Sequence, residues 1–561
     1  MNMTKIAAIL PLLLTGTAFA DQDPFYSITE VVTAADRGSA NFGPWALSIS
    51  GDGNSFASIA VTSNWYSYFR MAPSAMDLAH RFRYENGCTG FLSSATCSSY
   101  LDTSNWAATW FSDLSANAVQ TFNVTSGLST AETAATGIVT KYGRDESDVS
   151  VGYVSLASHQ RKAVATLSDT TTYSLTSGTD YPFASAYDIV PISSRYLVIG
   201  TAGALKATAY NYCYSNSTIA SYSKYCPGYQ TQAAFWSVAS DGTVTAPKLA
   251  TSYDTSESTD YPYTASAMSI AEVDGVYVAV GYSAIEGYSS EPKNLATFWN
   301  LEDGSLSSVP TTARIFSSNS DNPGTDSDYD IDNSWAVGIN NDGYIVGNRV
   351  YRKLVSRNYP TQMFVAKYSS GGITSTSIPV STDGVNSEAA ALNNSNQVVG
   401  WTDERSDTTK PVYGSVPRLQ EAFLYNITTG SRYAINDLIC GVSASTTTCS
   451  QNGYYYYIEY ANGITDDGTI VASARRFGSY SDWSTLSNGT SVVVKLNVSS
   501  TTAFDSNNDV PASYVITNQL PVFDYGASDS SGGGSFGIFG LLAMAGAAAV
   551  GQYRRFVKKG S

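Results

Sequence analysis

A chain of 561 residues that is 43% hydrophobic has ample material for a large core, which excludes disorder as the default state. Charged residues supply only 14%, while 40 Tyr, 45 Gly and abundant Ser and Thr suit short strands and turns better than long helices. A net charge of −16 disfavours nucleic acid, whose phosphates need a basic surface, and an anionic membrane surface too.

Residues 1–20 read as a signal peptide. Lys5 opens it, Ile6 to Leu14 form an apolar core containing Pro11, and Ala18, Phe19 and Ala20 make a small-x-small cleavage site before Asp21. That core is too short to span a bilayer, so export with cleavage by signal peptidase is expected rather than an anchor.

From 21 to 525 the chain repeats itself. The pattern Ala-x-x-Ile/Leu begins at Ala46, Ala135, Ala186, Ala267, Ala336, Ala389 and Ala461, which makes seven units. Most copies lead through a turn to an apolar run, as in YLVIG ending at Gly200, YVAVG at Gly281, YIVG at Gly347 and QVVG at Gly400. A third run follows a variable loop, for example AAFW from Ala233, ATFW from Ala296 and AFLY from Ala422. A fourth, with Tyr or Phe before alternating apolar residues, precedes each Ala-x-x-Ile, as in FYSITEVV from Phe25 and RYAINDLI from Arg432. Period-2 alternation and regular turns predict antiparallel β structure. Seven units of four short strands predict an all-β fold, a β-propeller of seven four-stranded blades, with packed β-sandwiches as the alternative.

Lettering the strands of a unit A to D in sequence order, the B–C links are short turns such as Asn340 to Gly343, and many D–A links are equally tight. The A–B and C–D links then share the opposite end, and the long segments are there. The six Cys form three local pairs in those links: Cys88 with Cys97, Cys213 with Cys226, and Cys440 with Cys449. In an exported protein this implies disulfides, although six Cys allow 15 connectivities. The same links hold Trp65, Tyr66 and Tyr68, then Tyr212, Tyr222, Tyr225 and Tyr229, then Tyr454, Tyr455 and Tyr456. Tyr-rich loops on a rigid scaffold are binding candidates, set against the plainer reading that Tyr covers sheet edges.

Asp326, Asp328, Asp330 and Asp332 alternate in another such link. Carboxylate oxygens suit Ca²⁺, but the EF-hand Gly and distal Glu are missing, and a solvated acidic loop competes. No other cofactor is indicated. With His80 and His159 as the only histidines, neither in a nucleophile motif, no catalytic constellation emerges.

Residues 526–535 form a Gly/Ser linker containing Gly532, Gly533 and Gly534, 536–553 an uncharged Gly- and Ala-rich span, and 554–561 a basic tail with Arg554, Arg555, Lys558 and Lys559. This order resembles the GlyGly-CTERM sorting signal. The resemblance implies cutting near Gly532 to Gly534 by a rhomboid-type protease, rhombosortase, after transient anchoring in the inner membrane, then passage by type II secretion to the cell surface or medium. A plain single-span anchor is the competing reading. Without both end segments the body keeps 26 basic and 47 acidic residues, a net −21. The units resemble HAF repeats, whose core Ala336 to Gly347 matches closely, although no unit retains the His. As a whole the chain is similar to a secreted gammaproteobacterial family of unknown function. The expected function is a secreted or surface-displayed binding or structural protein that recognises glycan, matrix or protein through its disulfide-stapled Tyr-rich loops. An extracellular polysaccharide hydrolase or lyase is the alternative.

Overall fold

The computed structural model describes residues 22–514 apart from 37–41, 62–123, 127–136, 145–148, 157–159, 169–170, 177–179, 216–227, 253–259, 288–291, 318–329, 354, 356–358, 380–384, 405–418 and 444–445. The expectations for the signal, linker and tail, with the processing positions Ala20, Asp21 and Gly532 to Gly534, lie outside the described residues. No helix among the described residues is long and apolar enough to cross a membrane.

The all-β expectation holds, since strands dominate and the helices among the described residues, Thr208–Ser215, Ile435–Leu438 and Tyr480–Ser484, are short. Seven strands, one from each of successive antiparallel sheets numbered 1 to 7 here, form the inner set: Phe42–Ile49, Gly137–Tyr142, Phe183–Ile192, Ala265–Val273, Ile331–Ile339, Ser387–Leu392 and Tyr454–Ile464, the last with the short Ser450–Gln451 paired beyond it. Sheet 4 shows the order, with Ala265–Val273, Val276–Glu286, Pro292–Asn300 and Thr312–Arg314 each pairing with the next. Sheets 2 and 3 are joined by one parallel bridge, Arg161 to Phe183, into a nine-stranded sheet with Val124–Ser126 at its edge.

The outer strand that precedes an inner strand pairs with the sheet behind it, except ahead of sheet 2, where Val124–Ser126 pairs with Thr172–Ser174 of sheet 2 itself. Arg432–Ala434 pairs with Gln420–Asn426 of sheet 6, and Tyr26–Val32 pairs with Thr490–Val498 of sheet 7. The four-strand unit is thus shifted by one strand from the sequence order, because runs joined by tight turns form hairpins. The inner strands pack one on the next in a closed circuit: sheet 1 on 2, on through 7, and 7 back on 1.

The core lies in layers between neighbouring sheets. Ile199 and Phe235 meet Ile270 and Trp299 between sheets 3 and 4, while Val280 and Phe298 meet Ile345 and Phe364 between 4 and 5. Edge-to-face pairs cross some of these layers, Phe235 with Trp299 at 5.9 Å and Phe298 with Tyr368 at 5.7 Å, each contributing roughly 0.5–1.5 kcal/mol beyond area burial.

At one end of the sheets the turns interlock. Asn340 Nδ2 donates to the Asn393 carbonyl (3.0 Å), Asn393 Nδ2 to the Thr465 carbonyl (2.8 Å), and the Asn394 amide to Asp466 (2.7 Å), tying sheets 5, 6 and 7 in series. Gly343 completes its turn at φ 78°, a conformation that suits glycine. Asp342 is exposed and accepts from Asn396 (2.9 Å), so the Asn-Asn-Asp-Gly cluster is a turn with a staple.

The N-terminal strand closes the last sheet, and Glu30 fastens it by accepting from Tyr456 Oη (2.6 Å) and Arg476 Nη1 (2.8 Å). Its other edge is covered by Gln451, which bonds Ile28 N (2.8 Å) and Tyr26 O (3.0 Å), and by Asn452, which donates to Ile28 O (3.0 Å). Just ahead of these stands the Cys440–Cys449 disulfide, in the link predicted for it. Cys88, Cys97 and Cys226, and the side chain of Cys213, lie outside the described residues.

Candidate functional site

Each inner strand breaks its ladder at the same place. The register skips one residue between Ala46 and Ser48, Val139 and Lys141, Ala186 and Asp188, Ala267 and Ser269, Ala336 and Gly338, Ala389 and Ala391, and Ala461 and Gly463. A β-bulge adds an unpaired residue and re-aims its side chain. The bulged residues are Leu47, Thr140, Tyr187, Met268, Val337, Ala390 and Asn462, and all seven line one cavity of about 170 Å³.

The bulge explains the repeat. The motif Ala lies opposite a Gly in sheets 3 to 6, at Gly200, Gly281, Gly347 and Gly400. A Cβ there would stand 1.9–2.2 Å from the carbonyl oxygen of the residue before the Ala. It also corrects the second unit. The equivalent of Ala-x-x-Ile there is Val139 to Tyr142, because the frame is set by the bulge at Thr140; Ala135 lies outside the described residues.

Charge at the turn end of the cavity is internally matched. Lys141 Nζ lies 2.7 Å from Asp188 Oδ2, and Asp188 is buried and also accepts from Ser269 Oγ (3.1 Å), Ile270 N (3.0 Å) and Ile189 N (3.0 Å). Burial holds the Lys141 ammonium below its usual range, against the pull of Asp188 and with help from Arg144. Arg144 Nη2 donates to the Ile339 carbonyl (3.0 Å), crossing from sheet 2 to sheet 5, which are not neighbours in the circuit. Gly51 packs so tightly there that a Cβ would stand 1.6 Å from the Arg144 carbonyl oxygen. Arg144 thus forms a floor.

Towards the loop end the walls become aromatic. Trp335 and Tyr460 precede the bulges of sheets 5 and 7, and Glu388 that of sheet 6, with Trp401 on its second strand. Trp401 and Tyr460 stand edge to face, 6.0 Å apart at 69°. Two covered side-chain atoms of lining residues have no hydrogen-bond partner among the described residues: Ser48 Oγ, in a residue only 7% exposed, and Asn462 Oδ1.

The cavity brings together none of the predicted binding residues. Tyr454 is 38% exposed with Arg476 4.6 Å from its ring centre, Tyr455 is half-buried against Tyr480 and Trp483, and Tyr456 is buried. Tyr229 is buried and stacks on Phe183 at 5.0 Å, and burial raises its phenol above the usual range. Trp65, Tyr66, Tyr68, Tyr222 and Tyr225, with the side chain of Tyr212, lie outside the described residues, as do Asp326 and Asp328. Asp330 pairs with Lys353 (2.7 Å) and Asp332 with Lys293 (2.8 Å). Among the described residues no group of three or more His, Cys, Asp or Glu is placed to hold a metal ion. The bulge residues, Ser48 and Lys141 are what sequence reasoning missed; their one signal was the variable position after each motif Ala.

A family described as "Protein of unknown function (DUF3466)" matches residues 113–519. The chain belongs to the DUF3466 family. The DUF3466 span takes in the inner strands of sheets 2 to 7 and starts after that of sheet 1. No curated protein matches this DUF3466 chain. Among solved structures it is similar to an ulvan lyase of a new polysaccharide lyase family, at 12% identity and TM-score 0.27 over 51% of this chain and 63% of that one. A Mycobacterium tuberculosis puromycin-hydrolyzing peptidase follows at 7% identity and TM-score 0.28, over 60% and 51%. A Synechocystis apocarotenoid oxygenase mutant stands at 9% and 0.28, over 58% and 65%. The chain spans less than two thirds of each of these, and at such identities and TM-scores no activity is carried over from them.

Proposed function

We propose that this DUF3466 chain is a seven-bladed β-propeller of the cell exterior that binds its ligand without transforming it, at the loop-bearing end of its axis. The closed circuit of inner strands and the N-terminal strand that completes sheet 7 support the blades. Export rests on the signal-like start and the GlyGly-CTERM-like tail, and the Cys440–Cys449 disulfide accords with an oxidising compartment.

One observation carries the binding reading: seven successive bulges turn one residue each onto a single cavity, which Arg144 closes at the turn end. Bulges are found where a strand must re-aim a side chain, and concave sites with a few polar groups among aromatic walls hold small ligands. The loops around the open end, including the stapled link and the exposed Tyr454 and Tyr480, suit a larger partner such as a glycan, matrix component or surface protein.

A polysaccharide array with product analysis tests this directly. Retention without release of shortened saccharide is the expected result. Release would instead favour the hydrolase or lyase reading. Mass spectrometry of the mature C-terminus tests the sorting signal, and an uncut tail would refute it.

A further inference from the structure

The cavity's lining narrows the ligand. We propose that it holds one uncharged, pyranose-sized sugar residue, entering as a chain terminus; this rests on the binding reading above.

Size comes first. A cavity of roughly 150 Å³ accommodates a single six-membered ring such as benzene, so about 170 Å³ admits one ring with substituents and no more. Arg144 crosses the turn end of the cavity, which stands in the way of a threading polymer and favours an end.

Chemistry comes second. Ser48 and Asn462 line the cavity from adjoining sheets 1 and 7, and Ser48 Oγ and Asn462 Oδ1, each covered by its surroundings, have no partner among the described residues. A purely apolar ligand would leave both unpaired, whereas sugar hydroxyls donate and accept, so a turn of each side chain lets one hydroxyl give its proton to Asn462 while another receives that of Ser48. The edge-to-face pair of Trp401 and Tyr460 supplies apolar surface for the sugar's C–H groups.

Charge comes third. An acidic sugar would need a cation, but Lys141 is already matched by Asp188 and Arg144 is committed to the Ile339 carbonyl, while Glu388 lines the wall. A quaternary ammonium, which has no N–H, would leave the side-chain carbonyl of Asn462 and the Ser48 hydroxyl without a matched partner.

The test uses the mature chain and four probes: methyl glucoside, methyl galactoside, glucuronate and tetramethylammonium. Saturation-transfer NMR and calorimetry should show at least one methyl hexoside binding with a dissociation constant on the order of 1 mM, with glucuronate and tetramethylammonium at least about tenfold weaker. Two variants locate the site. Asn462→Leu removes an acceptor, and Ala390→Phe fills the cavity from a bulge position without deleting a hydrogen bond. Each should weaken the hexoside at least about tenfold while its circular dichroism and melting remain those of a folded chain. No hexoside binding, tighter binding of either charged probe, or unchanged affinity in both folded variants would overturn the proposal. Polysaccharide retention that survives Ala390→Phe overturns the cavity assignment and leaves the binding reading standing. Product release together with loss of hexoside affinity in Ala390→Phe supports the cavity and refutes the binding reading.

Discussion

Substituting Gly281 by Ala puts the bulge explanation of the repeat at risk. Gly281 faces Ala267 across the first hairpin of sheet 4, and a Cβ on it would stand 2.0 Å from the Ser266 carbonyl oxygen. Ordinary contact begins near 3.4 Å, so the two strands would have to part by more than 1 Å where both backbones are buried. Overpacking of this kind costs about 1–3 kcal/mol. Parting the strands also weakens one or two ladder hydrogen bonds at about 1 kcal/mol each. The expected loss is about 2–5 kcal/mol. At roughly 2 °C per kcal/mol for a domain of this size, the melting temperature should fall by roughly 4–10 °C. Gly372→Ala is the matched control, since a Cβ there meets nothing within 4 Å and Gly372 shows no positive φ. Scanning calorimetry of both variants decides it. If Gly281→Ala melts with Gly372→Ala, the Gly opposite each bulge has no steric duty and the explanation of the repeat fails.

Further outcomes follow from the same contacts. Asn393→Leu removes the amide that bonds Thr465 O and Gln397 Oε1, and should cost about 2–3 kcal/mol in urea unfolding, whereas Asn341→Ala at the exposed turn should be nearly silent. Asp188→Ala strands the Lys141 ammonium and should cost about 3 kcal/mol or more, while Lys141→Met leaves Asp188 with three donors and should cost clearly less; equal effects would refute the pairing. Replacing both Cys440 and Cys449 by Ser should lower stability by about 2–3 kcal/mol and speed hydrogen exchange in 26–32 more than in sheet 4. Burial pushes the phenols of Tyr26, Tyr456 and Tyr457 above their ordinary 10.0. Their folded form therefore keeps protons that the unfolded chain gives up, so the stability they contribute is intact below pH 10 and falls as pH rises beyond it. An alkaline titration followed at 295 nm should show part of the tyrosine ionising only as the fold is lost.

The strand class and the sevenfold repeat were legible because they rest on alternation and on turn residues, which are local properties of the chain. The pairing of the Tyr-bearing strand was not, since sequence order alone leaves open whether a strand joins the sheet ahead of it or behind. The cavity was hidden for a related reason. A bulge exists only relative to a partner strand, so Leu47, Met268 and Asn462 look like unremarkable variable positions until the register is known. The run of Tyr454 to Tyr457 shows what strand pairing adds to a cluster seen in sequence. Inside the strand Tyr454–Ile464 successive side chains alternate faces, so four adjacent rings cannot form one surface, and Tyr456 and Tyr457 belong to the interior. Of the loop aromatics that are described, Tyr454 keeps an outward share.

The strand Tyr26–Val32 also sets an order of events. Ser27 meets Asn497 at a separation of 470 residues, among the most distant contacts of the described residues, so during synthesis Tyr26–Val32 must wait for nearly all the other described strands. Until Thr490–Val498 arrives, sheet 7 lacks its outer strand and the early strand has an unpaired edge open to foreign partners. Completion is then all or nothing. A truncated or stalled product would stay open, and quality-control proteases would meet it as a linear substrate rather than as a smaller version of the finished ring.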